Sequence, residues 1–239
     1  MQKSPWENKC FAEESLANID EKFLPATERQ VDWLIQKMGL RPGDALLDLG
    51  CGAGRHAIAM ARRGLRVTGI DISETMLRHA KERAEAEGVN VQLVQADLAG
   101  LSELKLGIFR GAICLCESGI GVLGGAGRDF AFLQQVHALL APGACFVITC
   151  FNALRRYILS RGQNPRFDYI NGVMRWSCEL DGEELREDQR QYTPSEIKLL
   201  LSLTGLEDID VLSCADGDFS DEPMGIEDVE MLVIARRCL

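Results

Sequence analysis

The sequence predicts a doubly wound α/β domain, a mostly parallel sheet covered by helices on both faces. Three observations predict it. Short apolar runs alternate with segments of helical period from residue 45 to residue 150. Those runs are almost continuously apolar, as strands buried on both faces are. A glycine-rich turn, Gly50-Cys51-Gly52-Ala53-Gly54, stands where the first run gives way to the first following helix.

Each element has its own signal. Thr27 to Met38 reads as a helix, with Val31, Leu34, Ile35 and Met38 on one face and Gly39 and Pro42-Gly43 ending it. Ala45 to Leu49 is a strand, Arg55 to Arg63 a helix and Val67 to Ile70 a second strand. Ser73 suits the cap of a helix reaching about Glu87, with Met76, Leu77, Ala80 and Ala84 inward. Val91 to Ala96 and Ala112 to Cys116 are the next strands. Asp129 to Leu140 is a helix closed by Pro142-Gly143, and Cys145 to Cys150 is the fifth strand. The pattern then changes to alternation. Val173 to Leu180, the turn Asp181-Gly182 and Leu185 to Tyr192 read as an inserted antiparallel hairpin. Pro194 to Thr204 returns to helix. Glu207 to Leu212 and Glu230 to Ala235 are two closing strands, and the acidic stretch ADGDFSDEPMGIED between them reads as a solvated, mobile loop.

A chain of 239 residues holds one such domain with a modest insertion. Its net charge of -10 disfavours a nucleic-acid partner, which needs a basic face. No apolar run approaches a membrane span. The start, MQKSPWENKC, is polar and lacks the apolar core of a secretory signal. Nine cysteines, most of them in apolar runs, read as buried thiols of a cytoplasmic protein. Cys114-x-Cys116 has no second pair at ligand spacing, and on a strand its two side chains would share a face. His56, His79 and His137 lie on helices without ligand pairing, so no metal site is expected.

The glycine turn carries the chemistry. Glycine tolerates positive φ and lets a ligand lie against the backbone, and the helix start offers free N–H groups. A nicotinamide-dinucleotide site wants G-x-G-x-x-G, and here Arg55 stands where its third glycine belongs. Asp48, two residues before the turn, would repel a pyrophosphate and suits a cationic ligand better. Asp71 and Asp97 end the second and third strands, where such folds bind ligands. Asp71 sits at the position that accepts hydrogen bonds from ribose hydroxyls. Three solvated loop carboxylates are the plainer alternative.

LLDLGCGAGRH, VTGIDIS, VQLVQADL and LLAPGACFVI resemble the successive motifs of class I S-adenosylmethionine (AdoMet) dependent methyltransferases. The resemblance is strong over residues 45 to 150 and weaker over 192 to 212. It implies a Rossmann-like, seven-stranded, mostly parallel sheet whose last strand is antiparallel, with a small antiparallel hairpin inserted. It implies AdoMet as cofactor, S-adenosylhomocysteine as product and a small-molecule acceptor. Residues 1–44 would form an N-terminal helical lid segment, with Trp6, Phe11 and Phe23 folding over the cofactor. Residues 45–239 would form the methyltransferase domain, with an inserted cap at about 152–193. By the same resemblance Asp48, Gly50, Cys51, Gly52 and Gly54 surround the methionine moiety. Asp71 takes the ribose hydroxyls and Ile72 lies against the adenine. Asp97 accepts the adenine amino group beside Leu98, and Met76 and Cys116 complete the cofactor set. His56 either touches cofactor or substrate or simply faces the crevice.

The fourth strand should end at the transferable methyl. No Asn/Asp-Pro-Pro-aromatic motif stands there, which disfavours DNA and several protein acceptors. Glu117 is the candidate orienting group or base, with Ser118 beside it. Asn152, Arg155 and Trp176 are candidate acceptor contacts, and core packing explains Trp176 equally well. A non-catalytic AdoMet-binding or S-adenosylhomocysteine-binding subunit, or a nicotinamide-dependent oxidoreductase, are the competing readings. The acceptor, the atom methylated and the oligomeric state are not legible.

Overall fold

In the computed structural model, residues 13–116, 119–160, 164–180, 183–214 and 218–239 are described. A long helix α1 (Glu13–Met38) precedes the alternating core. It is continuous through Pro25 and begins well before the Thr27 expected from periodicity. Then follow β1 (Ala45–Leu49), α2 (Arg55–Arg62), β2 (Arg66–Asp71), α3 (Glu74–Ala86) and β3 (Val91–Gln95). A 3-10 turn (Leu98–Glu103), β4 (Phe109–Cys114), α4 (Ala126–Leu139) and β5 (Leu140–Phe151) complete the alternating part.

Seven strands form one sheet in the order β3-β2-β1-β4-β5-β10-β9. β9 (Leu206–Ser213) and β10 (Glu230–Arg237) close it. The pairs from β3 to β5 are parallel, and β10, the last strand, runs antiparallel to β5 and β9. The strands alternate their side chains between two cores. Leu47, Leu49, Phe146 and Val233 face a core completed by Phe132, Leu133 and Val136 of α4 and by Ile197 and Leu201 of α6 (Pro194–Leu203). Leu46, Val67, Val147 and Leu232 face the other, completed by Val31 and Leu34 of α1 and Ala57 and Met60 of α2. Each fully buried Leu or Phe contributes about 1.5–3 kcal/mol. A sheet buried on both faces is therefore the fold's main source of cohesion.

Local chemistry sets the helix starts. Ser73 accepts a hydrogen bond from Met76 N at 3.3 Å, and Met76, Leu77, Ala80 and Ala84 are the buried face of α3 as their spacing predicts. Thr193 and Glu196 form a reciprocal capping box in front of α6, with Pro194 at its first position.

Four expectations are corrected. β4 spans Phe109–Cys114 rather than Ala112 to Cys116, so Cys114 and Cys116 do not share a strand face. Cys116 has left the strand with φ 59°. β5 already starts at Leu140, and Pro142-Gly143 lie within it, where the β4–β5 register shifts. A helix not foreseen, α5 (Ala153–Ser160), follows β5. The insertion is a three-stranded sheet, β6 (Phe167–Asp168), β7 (Val173–Leu180) and β8 (Glu183–Arg190), rather than a bare hairpin.

The acidic loop is also not simply solvated. Its described part docks on α1 through Arg29–Asp218 at 2.7 Å, Lys37–Asp221 at 2.5 Å and an edge contact between Trp33 and Phe219. Arg155 of α5 holds Glu227 at 2.6 Å. Among the described residues, no helix is long and apolar enough to cross a membrane.

Candidate active site

The strand order reverses between β1 and β4, and a crevice opens at the carboxyl ends of strands at such a point. The turn after β1 lies there. Gly50, Gly52 and Gly54 all have positive φ. At Gly54, φ 80°, a methyl group would meet the Ala80 Cβ at 3.0 Å, so glycine is needed both for conformation and for the close approach of α3. Gly50 N and Cys51 N both donate to Ile70 O, which ties the turn to β2.

Asp71, at the end of β2, braces the turn. Its Oδ2 accepts Gly52 N at 2.8 Å and its Oδ1 accepts Ser73 N at 2.8 Å. Each carboxylate oxygen keeps a further lone pair for a ligand hydroxyl. Burial raises the Asp71 pKa, opposed by backbone N–H bonds from Ser73, Gly52 and Ile72. Ile72 is half-buried beside it, and Met76 is buried one turn into α3. Asp97 is exposed at the end of β3 and accepts Ala99 N at 2.8 Å, capping the 3-10 turn that begins with buried Leu98.

Asp48 is the unusual group. It is 3% exposed, and its Oδ2 has no hydrogen-bond partner among the described residues. Desolvation drives its pKa up to about 7, against the pull of Arg55 and an Ala57 N–H; the Asp71 carboxylate pushes it further up. A buried acceptor without a donor, next to the glycine turn, fits a cationic ligand group. The Cys51 thiol is held well above its ordinary pKa by burial and by the two carboxylates, so it stays neutral.

Arg55 and His56, directly after the turn, face α1. Arg55 donates to Gln30 Oε1 at 2.7 Å and Thr27 Oγ1 at 3.0 Å, and its other terminal nitrogen lies 3.0 Å from Cys116 Sγ. His56 Nε2 lies 2.9 Å from Gln30 Oε1. Burial, aided by Arg55, pushes the His56 pKa well down, so the ring is neutral and its Nε2–H donates. The contact the structure gives His56, with Gln30 of α1, is neither of the two options left open for it.

On the acceptor side the grouping is looser. Glu117 and Ser118 lie outside the described residues, as do Trp6 and Phe11 and the side chain of Phe23. Asn152 is 1% exposed, donates to Asp228 O and accepts Leu154 N, so both ends of its amide are engaged in structure. Arg155 is neutralised by Glu227. Trp176 is half-buried and donates to Gln189 Oε1 at 2.9 Å, within an aromatic cluster with Phe167, Met174, Tyr157 and Tyr169. Gln30, Asp129 and Tyr192 were not singled out from sequence; an acid in a helix's first turn and a Tyr before a capping box were their only signals.

Residues 46–143, from β1 into β5, match the family model described as "Methyltransferase domain". Over that stretch the chain is similar to a methyltransferase domain. The ubiquinone biosynthesis O-methyltransferase of Pseudomonas aeruginosa (strain UCBPP-PA14) is 32% identical over 123 residues, 52% of this chain and 50% of that protein. The chain spans half or less of the length of such curated relatives. In fold, the methyltransferase domain and its flanking elements resemble an S-adenosylmethionine-dependent methyltransferase from Clostridium acetobutylicum ATCC 824. The TM-score is 0.71 at 17% identity, covering 95% of this chain and 99% of that one. The CcbJ methyltransferase from Streptomyces caelestis gives a TM-score of 0.74 at 18% identity, with both chains fully covered. The glycine turn, Asp48, Asp71 and Asp97 all lie within the matched methyltransferase domain.

Proposed function

We propose that this protein transfers the methyl group of AdoMet to a small, largely uncharged acceptor. The observation that carries the reading is Asp48, a buried carboxylate with an unpartnered oxygen beside a glycine turn that Asp71 holds open. AdoMet carries an α-ammonium to meet Asp48 and ribose hydroxyls to meet Asp71. A pyrophosphate would meet only repulsion at Asp48, which argues against a nicotinamide dinucleotide. When bound, the cofactor supplies an electrophilic methyl on a sulfonium.

The chain's own residues would bind, orient and exclude water, which is most of what an in-line displacement asks of a protein. Gly50, Cys51, Gly52 and Gly54 form a turn whose glycines leave open space, its N–H groups being engaged by Ile70, Asp71 and Cys51. Ile72, Met76 and Leu98 offer apolar walls for the adenine, with Asp97 as acceptor for its amino group, and Cys116 closes the β4 side. Residues 1–44 act as a lid segment over the domain at 45–239, and residues 152–193 as the cap. Glu117 orients the acceptor or takes its proton, with Ser118, Asn152, Arg155 and Trp176 around it. The pairing of Arg155 with Glu227 leaves it no net charge for an anionic acceptor. The aromatic cluster at Tyr157 and Trp176, together with the likeness to ubiquinone biosynthesis O-methyltransferases, favours an aromatic hydroxyl as the methylated group. Buried cysteines at Cys51, Cys114, Cys145, Cys150 and Cys214 suit a reducing, cytoplasmic setting.

Calorimetric titration of AdoMet, S-adenosylhomocysteine and NADH tests the reading. Micromolar binding of the first two, lost in Asp71→Ala, is expected, followed by turnover in a panel of phenolic acceptors. Binding of NADH alone, or of no adenosyl ligand, would overturn it. Cofactor binding with no turnover on any acceptor would instead mark a non-catalytic binding subunit.

A further inference from the structure

A second buried polar knot joins α4, the residues before it and the end of the insertion sheet. Asp129, in the first turn of α4, is fully buried. One of its oxygens accepts Gly121 N at 3.1 Å, and the other accepts a hydrogen bond from the Tyr192 hydroxyl. Tyr192 is 2% exposed. Its backbone N–H donates to Phe151 O at the end of β5, and its carbonyl accepts Ala153 N at the start of α5.

The knot extends to the insertion. Arg190, the last residue of β8, donates its backbone N–H to Gly121 O at 2.8 Å. Its guanidinium lies 5.0 Å from the centre of the Tyr192 ring and holds Asn171 O and Glu196. Gly121 is the seam. Its φ is 90°, and a Cβ there would collide with the Arg190 carbonyl oxygen, so no other residue fits. One glycine therefore gives its N–H to Asp129 and its carbonyl to Arg190, with the β8 backbone pressed against its α-carbon.

The fastened residue, Gly121, lies in the described stretch 119–125 that leads into α4. β4 ends beside the glycine turn of β1, at the reversal of strand order. All the partners just given lie after β4 in the chain, away from the glycine turn and Asp71. A hydrophobic tie would hold that stretch down without direction. Two hydrogen bonds accepted by one buried carboxylate, with the Arg190 N–H bond to Gly121 O, fix both where Gly121 sits and where β8 meets it.

We propose that Asp129 and Tyr192 are positioning residues for methyl transfer: they lock the loop at 119–125 to the end of the insertion sheet and so set the acceptor-side wall of the site. The inference rests on the methyl-transfer reading for its purpose but not for its test. Tyr192→Phe removes one hydroxyl and keeps the ring. Asp129→Asn keeps an acceptor for Gly121 and weakens the tie to Tyr192, and it serves if the first variant folds poorly.

The first measurement is amide hydrogen exchange in the presence of S-adenosylhomocysteine, together with calorimetry of that ligand. Tyr192→Phe should speed exchange in residues 119–125 by at least roughly tenfold and leave β1 to β3 protected. The Kd for S-adenosylhomocysteine should stay within about threefold of wild type. With an acceptor from the phenolic panel, kcat/KM for the acceptor should fall at least roughly tenfold while KM for AdoMet holds. Unchanged exchange in 119–125 would overturn the inference. So would equal losses in cofactor and acceptor parameters, since a generally loosened fold gives those. Fast exchange in the variant of a protein whose wild type methylates nothing would uphold the loop lock and condemn the methyl-transfer reading alone.

Discussion

Replacing Asp48 by asparagine separates what this carboxylate does for the fold from what it does for a ligand. Burial raises its pKa from the ordinary 3.8 to about 7. That displacement corresponds to about 4 kcal/mol of folding free energy. Its sign follows from proton counting. Below pH 3.8 the side chain is neutral in both states and carries no penalty. Between 3.8 and about 7 the folded state binds the extra proton, so stability falls as pH rises. Above that the carboxylate is ionised in both states and the full penalty stands. The asparagine side chain never ionises, but its N–H would replace an oxygen that has no partner, at a cost of about 1–3 kcal/mol. That cost does not vary with pH. Asp48→Asn should therefore be less stable than wild type at pH 4 and more stable at pH 8 by roughly 1–3 kcal/mol. For a chain of this size the gain is roughly 2–12 °C in melting temperature. Circular-dichroism melts of both proteins at half-unit steps from pH 4 to 8 read the crossing directly. Two melting curves that stay a constant distance apart across that range would refute the reasoning. In the same variant S-adenosylhomocysteine affinity at pH 8 should fall at least roughly tenfold, because an ammonium would lose its counter-charge.

Three further outcomes are expected. Gly54→Ala forces a methyl group into a φ of 80° and against Ala80, so it should cost about 2–4 kcal/mol in chemical denaturation and abolish measurable cofactor binding by calorimetry. Asp218→Ala with Asp221→Ala removes two exposed ion pairs between the acidic loop and α1, and the double variant should lose less than about 1–2 kcal/mol, a loss that shrinks further in concentrated salt. Glu117→Gln should lower turnover at least roughly tenfold while AdoMet affinity stays near wild type; a parallel loss of AdoMet binding would move Glu117 to the cofactor side.

What could be read from sequence about the fold depended on how local its cause was. β1 is bounded as expected, Ala45–Leu49, because Pro42-Gly43 and Gly50 stop it on both sides and all its residues but Asp48 are apolar. α3 was legible from the Ser73 cap and its 3.6 period. β4 was shifted because Arg110 and Gly111 read as loop while Leu115 and Cys116 read as strand. The reason is tertiary: a Cβ on Gly111 would sit 2.6 Å from the tip of Met38, so glycine is what lets α1 lie on this strand. α5 escaped because its eight residues follow an apolar strand without a break and leave Ile158 and Leu159 exposed. The acidic loop read as solvated because its partners, Arg29 and Lys37, lie more than about 180 residues earlier.

The same division runs through the site. The half proposed to hold the cofactor is made of backbone conformations and strand ends, which glycines and acids announce at fixed spacing. Asp48, Gly52, Gly54 and Asp71 could thus be assembled before any coordinates. Asp48's unpartnered oxygen could not, since it depends on what fails to reach it. The acceptor half is made of meetings between distant segments. Asp129 read as an ordinary acid at a helix start, favourable to the helix dipole, yet burial with Tyr192 and Gly121 gives it another task. Arg55 read only as a missing third glycine. In the fold it spans from Gln30 and Thr27 of α1 to Cys116 after β4, and its charge partly steadies Asp48. That placement couples the N-terminal helix to the Asp48 carboxylate through one side chain. Any motion that lifts α1 would withdraw Arg55's hydrogen-bond partners and disturb Asp48's ionisation at the same time.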